Sequence, residues 1–166
     1  PLNAVMTKPL HAPDKENLLG TDILGRDILS RIIYGTRYSL FMTLVLVATV
    51  FTLGTILGLL AGYFGGIVDT LIMRLADMMV SFPGIILAIA IAGLLGPSMT
   101  NAIIAISSVT WPKYARLSRS MVLKIRKELY IEAAKLTGSK DKDILFKYIL
   151  PNMLTLMLVT AISDIG

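Results

Sequence analysis

The residues best placed to do chemistry are Glu132, Ala133, Ala134 and Gly138, inside a basic stretch that runs from Trp111 to Asn152. From Lys113 to Lys147 this stretch holds ten of the sixteen Lys and Arg residues, against only Glu128, Glu132, Asp141 and Asp143, a formal net charge of +6. Glu132 supplies a charge able to pair with a cation, and two consecutive alanines suit close contact with a partner. Gly138 offers a corner; if its φ is positive, any Cβ there is strained by about 1 kcal/mol or more. This is the chemistry of recognition, with no bond made or broken. A plainer reading stands beside it: Ala133 and Ala134 as good helix formers, and Glu132 as a solvated i, i+3 partner of Lys135.

No catalytic residue, metal ligand set or cofactor site emerges elsewhere. The spacing Gly20-x4-Gly25 has the outline of a phosphate-binding loop, but Arg26 and Asp27 stand where Lys and Ser/Thr are needed, and no strand precedes it. His11 is the only histidine, in a Pro-flanked loop, and there is no cysteine. Nine methionines are scattered through apolar segments, which fits packing better than metal handling. A nucleic-acid partner is not expected: the basic residues lie between apolar segments, and Tyr130 and Tyr148 offer little stacking surface.

The elements that must carry these residues are membrane spans. The 166 residues are 55% hydrophobic and 16% charged, with a mean hydropathy of +0.74, whereas soluble domains average about 25% charged residues. Tyr38 to Val68 has no charged residue over 31 positions, enough for one span at about 38–62. Further spans are expected at about 67–95, kinked by Pro83, at 98–116, and at 150–166, with Asp164 unexplained. The fold class is therefore all-α, a polytopic membrane protein with about four transmembrane helices in the cell (inner or plasma) membrane, bordered by lipid. Gly54, Gly58, Gly62 and Gly66 recur every four residues. They form a small-residue stripe for helix packing at Gly54, Gly58 and Gly62, while a loose helix end running into the Gly65-Gly66 turn is the plainer reading of Gly62 and Gly66. Asn101, Ser107 and Ser108 either face a pore or bond across helices. Asp77 and Arg74 are spaced to pair on one helix face.

Residues 1–37 form a polar segment with a short helix, capped by Thr21 or Asp22 and ending near Gly35. Residues 38–166 form the transmembrane domain. Its loop, about 117–149, is itself helical: Leu117, Met121, Ile125 and Leu129 make an amphipathic stripe. Gly138 stops the first helix, Ser139 caps a second through Ile149, and Pro151 begins the last span. The pair makes a compact hairpin that could present a rigid knob. The charge asymmetry puts this loop in the cytoplasm and residues 1–37 outside, where Lys8, Lys15, Arg26, Arg31 and Arg37 meet four acids for a net +1. The chain starts on Pro and ends within an apolar run, so a piece of a longer protein is expected.

Several strings resemble one family, in its order: GTDILGRD from Gly20, SFPGIILAIAIAGLLGPS from Ser81, WPKYARLSR from Trp111, and Glu132-Ala133-Ala134 with Gly138 and Ile149-Leu150-Pro151. The last resembles the EAA loop of ABC-transporter permeases, and the set is similar to the second permease of dipeptide, oligopeptide and nickel importers. One departure is Tyr148, where many members of that branch carry His. The resemblance implies a six-span, MetI-like fold of which this chain covers about four spans, and a non-catalytic subunit. It implies that Glu132, Ala133, Ala134, Gly138, Ser139, Asp141, Leu150 and Pro151 form the loop that docks the cytoplasmic ATPase subunits. A second permease subunit and an extracytoplasmic substrate-binding protein complete the set of partners, for cargo that is peptide, nickel or another small solute. The rival class, an ion-coupled secondary transporter, needs mid-membrane carboxylates, and Asp69 and Asp77 lie too near a span end for that role.

Overall fold

In the computed structural model, residues 9–164 are described; Lys8, at the edge of the N-terminal charge balance, and Ile165 and Gly166, at the end of the last expected span, lie outside them. The described elements are helical apart from one isolated bridge between Thr21 and Asp27. They are α1 (Ile28–Phe64), α2 (Gly66–Ser81), α3 (Gly84–Leu95), α4 (Met99–Ile125), α5 (Leu129–Leu136), α6 (Asp141–Asp143), a π-helical stretch (Ile144–Ile149) and α7 (Leu150–Ser163). The chain divides into two compact units, Pro1–Thr43 and Leu44–Gly166.

In the first unit, the short helix expected between Gly20 and Gly35 is replaced by a loop that leads into α1. Asp27, rather than Thr21 or Asp22, caps the helix, accepting the Ser30 N–H at 2.7 Å. Gly35 sits within α1 and does not stop it: one glycine costs about 1 kcal/mol in a helix interior, little against a helix of 37 residues.

In the second unit, α1 ends at Gly65, whose φ of 67° and ψ of −157° break the helix. Phe82 is extended, as a residue before proline prefers, and α2 and α3 meet at 93°. The expected 67–95 span is thus a sharply broken pair and not a kinked rod. Ser98 starts α4 by accepting the Asn101 N–H at 3.0 Å. This helix continues through Pro112 to Ile125, so the expected span 98–116 is only its first part. Residues 117–125 belong to the same rod, and Leu129 lies beyond its end with 82% of its surface exposed.

The α6–π–α7 run is one continuous 23-residue helix. Pro151 has no N–H to give a carbonyl one turn back, and the turn before it widens into π geometry to accommodate the ring. This helix and α1 are long and apolar enough to cross a membrane; the bent α2–α3 pair makes a third if counted as one span. In α4, Asn101, Ser107, Ser108 and Thr110, followed by Lys113 and Arg116, lower the apolar content.

The main core joins Val50 and Leu59 of α1, Tyr114 and Val122 of α4, Ile131 of α5, and Ile144, Ile149, Met153 and Met157 of the last helix. A smaller cluster packs Ala76 of α2 against Trp111 and Ala115. By contrast α3 buries no residue; Ile85, Ile89 and Leu94 are 77%, 68% and 89% exposed.

Candidate functional site

The hairpin 129–149 is fixed from below and bare above. Ile131 and Ala134 point into the core, 0% and 7% exposed, as do Ile144, Leu145 and Ile149. Burying side chains of this size contributes about 1.5–3 kcal/mol each relative to water. One turn apart on the opposite face, Leu129, Glu132, Ala133 and Leu136 are all exposed, Leu136 by 89%. Residues at i, i+3, i+4 and i+7 share one side of a helix. The Glu-Ala-Ala string is therefore split: Glu132 and Ala133 face outward, and Ala134 holds the helix down.

Gly138 turns the corner with φ of 81°, and a Cβ built there would meet nothing within 4 Å. Its N–H donates to the Lys135 carbonyl at 3.0 Å, and the Ser139 N–H to the Ala134 carbonyl at 3.0 Å, satisfying the end of α5. Ser139 is thereby occupied with the helix behind it. The cap position of the next helix falls on Lys140, without a side-chain cap, because the positive-φ turn uses one more residue than expected. Lys135 does not pair with Glu132; its ammonium lies 5.9 Å from the Tyr63 ring centre, and Glu132 forms no ion pair among the described residues. Asp141 accepts a hydrogen bond from the Tyr63 hydroxyl at 2.5 Å. Leu150 packs half-buried against the core, and Pro151 is exposed at the first turn of α7.

Gly54, Gly58 and Gly62 face α4 within the same chain. A Cβ at Gly54 would fall 2.8 Å from the Trp111 carbonyl oxygen, at Gly58 2.6 Å from Ser118 Cβ, and at Gly62 2.8 Å from Val122 Cβ. Gly66 meets nothing within 4 Å and is not part of this contact. The buried Ser118 hydroxyl donates to the Thr55 carbonyl at 3.0 Å across the same seam. Asn101 donates both amide hydrogens to the carbonyls of Leu95 and Gly96, at 2.7 and 3.0 Å, closing the turn before α4. Ser108 donates to the Ala105 carbonyl at 2.7 Å, and Ser107 is buried without a hydrogen-bond partner. A groove of about 770 Å³ lies between the α2–α3 pair and α4, lined by Val80, Ile85, Ile89, Ile106, Val109 and Thr110 among others, and by none of Asn101, Ser107 and Ser108.

Residues 54–166 match the family model described as the inner membrane component of binding-protein-dependent transport systems. The chain belongs to that family. It is 48% identical over 157 residues to a dipeptide transport system permease protein of Alkalihalophilus pseudofirmus, covering 95% of this chain and 52% of the relative. A probable D,D-dipeptide transport system permease protein of Escherichia coli is 41% identical over 99% of this chain and 55% of its own length. The nickel transport system permease protein of the same organism is 41% identical over 95% of this chain and 57% of its own. The chain thus spans about half the length of the curated relatives it matches.

Several charged residues of this chain have partners that the sequence argument did not find. Lys113, Arg116 and Arg119, three apart on α4, do not float in a basic loop. Lys113 binds Asp164 at 2.6 Å, with the Tyr114 hydroxyl also on Asp164 at 2.7 Å; Arg116 binds Asp77 at 2.7 Å; Arg119 chelates Asp69. Asp77 therefore pairs with a helix distant in sequence and not with Arg74, and Asp164 has its explanation. Spacing of opposite charges within one helix points to neighbours on that helix, so only the fold could reveal these pairs. The outward face formed by Leu129 and Leu136 was also missed: Leu129 was read into the apolar stripe of the preceding helix, although its i, i+7 spacing with Leu136, with Glu132 between them, was readable.

The permease's N-terminal loop explains why Gly20-x4-Gly25 only outlines a phosphate site. Its amides are taken by the chain's own Asp22, whose carboxylate accepts the N–H groups of Leu24 and Arg26 at 2.9 and 3.0 Å. The Arg26 and Arg31 guanidiniums close on the same group. The Arg26 amide first, then the Leu24 amide and the two arginines, hold the Asp22 carboxyl well below the usual carboxylate range.

Proposed function

We propose that the chain forms part of the translocation path of an ATP-driven importer for di- or oligopeptides, and that hairpin 129–149 docks the ATPase. The observation that supports this best is the outward face of α5. Two leucines over 80% exposed flank a carboxylate and a small residue, on a helix whose other face is fastened into the core. An exposed apolar pair rimmed by charge suits a protein cleft that takes the leucines in pockets and offers Glu132 a cation. Glu132, Ala133 and the Gly138 corner touch the ATPase; Ala134, Leu150 and the buried isoleucines pass its movement to the spans. The subunit itself performs no catalysis: ATP is hydrolysed by the partner. A second permease completes the path, and a binding protein delivers cargo on the opposite side.

In this arrangement the hairpin is cytoplasmic and residues 9–27 are outside. Cysteines placed at Lys140 and Lys15 in intact cells are expected to react with an impermeant reagent only at position 15; the reverse pattern removes the topology. For docking, Glu132→Lys and Leu136→Glu in the full-length protein are expected to lose ATPase co-purification while membrane insertion stays intact. Unchanged co-purification in both would remove the role. Nickel is the second reading for the cargo, favoured by the 41% identity to a nickel permease. Uptake of labelled dipeptide against labelled nickel by the assembled transporter separates the two.

A further inference from the structure

Three elements converge on the last turn of α1. Asp141, in the first turn after the Gly138 corner, accepts the Tyr63 hydroxyl at 2.5 Å. Lys135, on the last turn of α5, holds its ammonium 5.9 Å from the same ring. Arg126, at the end of α4, donates one Nη1 to the carbonyls of Gly62 at 2.9 Å and Tyr63 at 3.3 Å. The ring of Tyr63 is thus held by both arms of the hairpin, and the backbone beneath it by the residue that leads into the hairpin. The carbonyls at a helix C-terminus lack intrahelical partners and carry partial negative charge, so a guanidinium there fixes the helix end as well as the loop. Just beyond, Gly65 breaks the helix at φ of 67°, so α1 ends at this clamp and α2 starts as a separate helix.

We propose that Tyr63 is a positioning residue that passes the motion of hairpin 129–149 to α1, through Asp141 and with Arg126 as its backing. This rests on the reading that the hairpin docks the ATPase. The buried contacts of Ile131, Ile144 and Ile149 hold the hairpin against the core without direction, because apolar contacts slide. A hydrogen bond to a carboxylate is directional and short, and ties a chosen pair of points. The clamp also lies beside the glycine seam, where α1 and α4 are too close to move independently, so a pull on Tyr63 moves both helices.

The test uses the full-length permease assembled with its second permease, ATPase and binding protein in proteoliposomes. Transport, ATP hydrolysis and ATPase co-purification are measured together. Tyr63→Phe is expected to keep the ATPase bound and hydrolysing while solute moved per ATP falls several-fold, and Asp141→Ala is expected to lower solute moved per ATP to a similar degree. Asp141→Asn keeps an oxygen acceptor and is expected to restore most of what Asp141→Ala loses. The Tyr63→Phe, Asp141→Ala double variant is expected to be no worse than either single, since both remove one contact. Parent-like transport per ATP in Tyr63→Phe would overturn the proposal. So would loss of insertion or of ATPase binding in that variant, which would show a contact that holds the hairpin's fold and does not pass its motion. If Glu132→Lys and Leu136→Glu both retain the ATPase, the docking reading fails first and this inference goes with it. That outcome is read on α5 variants alone and cannot be confused with the Tyr63 result.

Discussion

Gly58 and Gly138 both stand where another residue would fail, for opposite reasons. Gly58 has ordinary helical backbone but no room: a Cβ would run into Ser118 and Ala115 of the facing helix. Gly138 has open space around it and a backbone at φ of 81° that L-residues rarely adopt. The first glycine serves packing between two helices, the second serves the direction of the chain. One is decided by the neighbour and the other by the dihedral, so substitutions that satisfy one should fail at the other.

The largest effect is expected at the seam. Gly58→Leu forces backbones apart, and overpacking of this kind costs about 1–3 kcal/mol and sometimes more. A clear fall in the detergent-denaturation midpoint of the full-length protein is expected, with Gly58→Asn nearly as harmful. A parent-like midpoint for either would show that α1 and α4 can separate without loss.

Gly20 sharpens the contrast because it combines both demands, with φ of 73° and a Cβ direction aimed at the His11 carbonyl. Gly20→Ala is therefore expected to disturb its loop more than Gly138→Ala disturbs its corner, read as loss of amide protection at Thr21 and Ile28 against Gly138 and Ser139.

At the corner itself, Gly138→Val is expected to cost about 1–2 kcal/mol through the left-handed backbone. Gly138→Asn should cost a fraction of that, because Asn tolerates this region. The ratio of ATPase co-purification between Asn and Val variants measures it. Equal loss in both would mean that the space around Gly138 is occupied by the partner, turning the corner into a second seam.

The smallest effect separates the two positive-φ turns by acid. The Asp22 carboxyl is depressed, so the stability it lends the Gly20 loop is fully present above the unfolded value near 3.8 and is lost as pH falls through its folded value. The Gly138 corner is closed by backbone groups and the Thr137 hydroxyl, none of which titrates in this range. Lowering the pH below about 4 should therefore weaken protection of the Leu24 and Arg26 amides, corrected for intrinsic exchange, before that of Gly138 and Ser139.

By itself, the sequence determined the class of molecule. Thirty-one uncharged positions after Arg37, a basic stretch between apolar runs, and four ordered motifs were enough for a helical membrane component of the binding-protein-dependent type. They were enough because hydrophobic length and local motif strings are properties of contiguous residues. The four-residue spacing of Gly54, Gly58 and Gly62 also announced a packing face, since helical periodicity fixes which residues share a side. What that face meets was decided only in three dimensions: α4 of the same chain. The tertiary structure likewise decided that Asp69, Asp77 and Asp164 answer Arg119, Arg116 and Lys113, that Ala134 turns inward while Ala133 turns outward, and that Tyr63 reaches Asp141 across 78 positions. The ends of elements moved for the same reason. Gly35 and Pro112 are breakers by local preference worth a few kcal/mol at most. The helix through Pro112 is held by side-chain contacts from other parts of the chain, which no local window contains, and Gly35 is one weak position in a 37-residue helix.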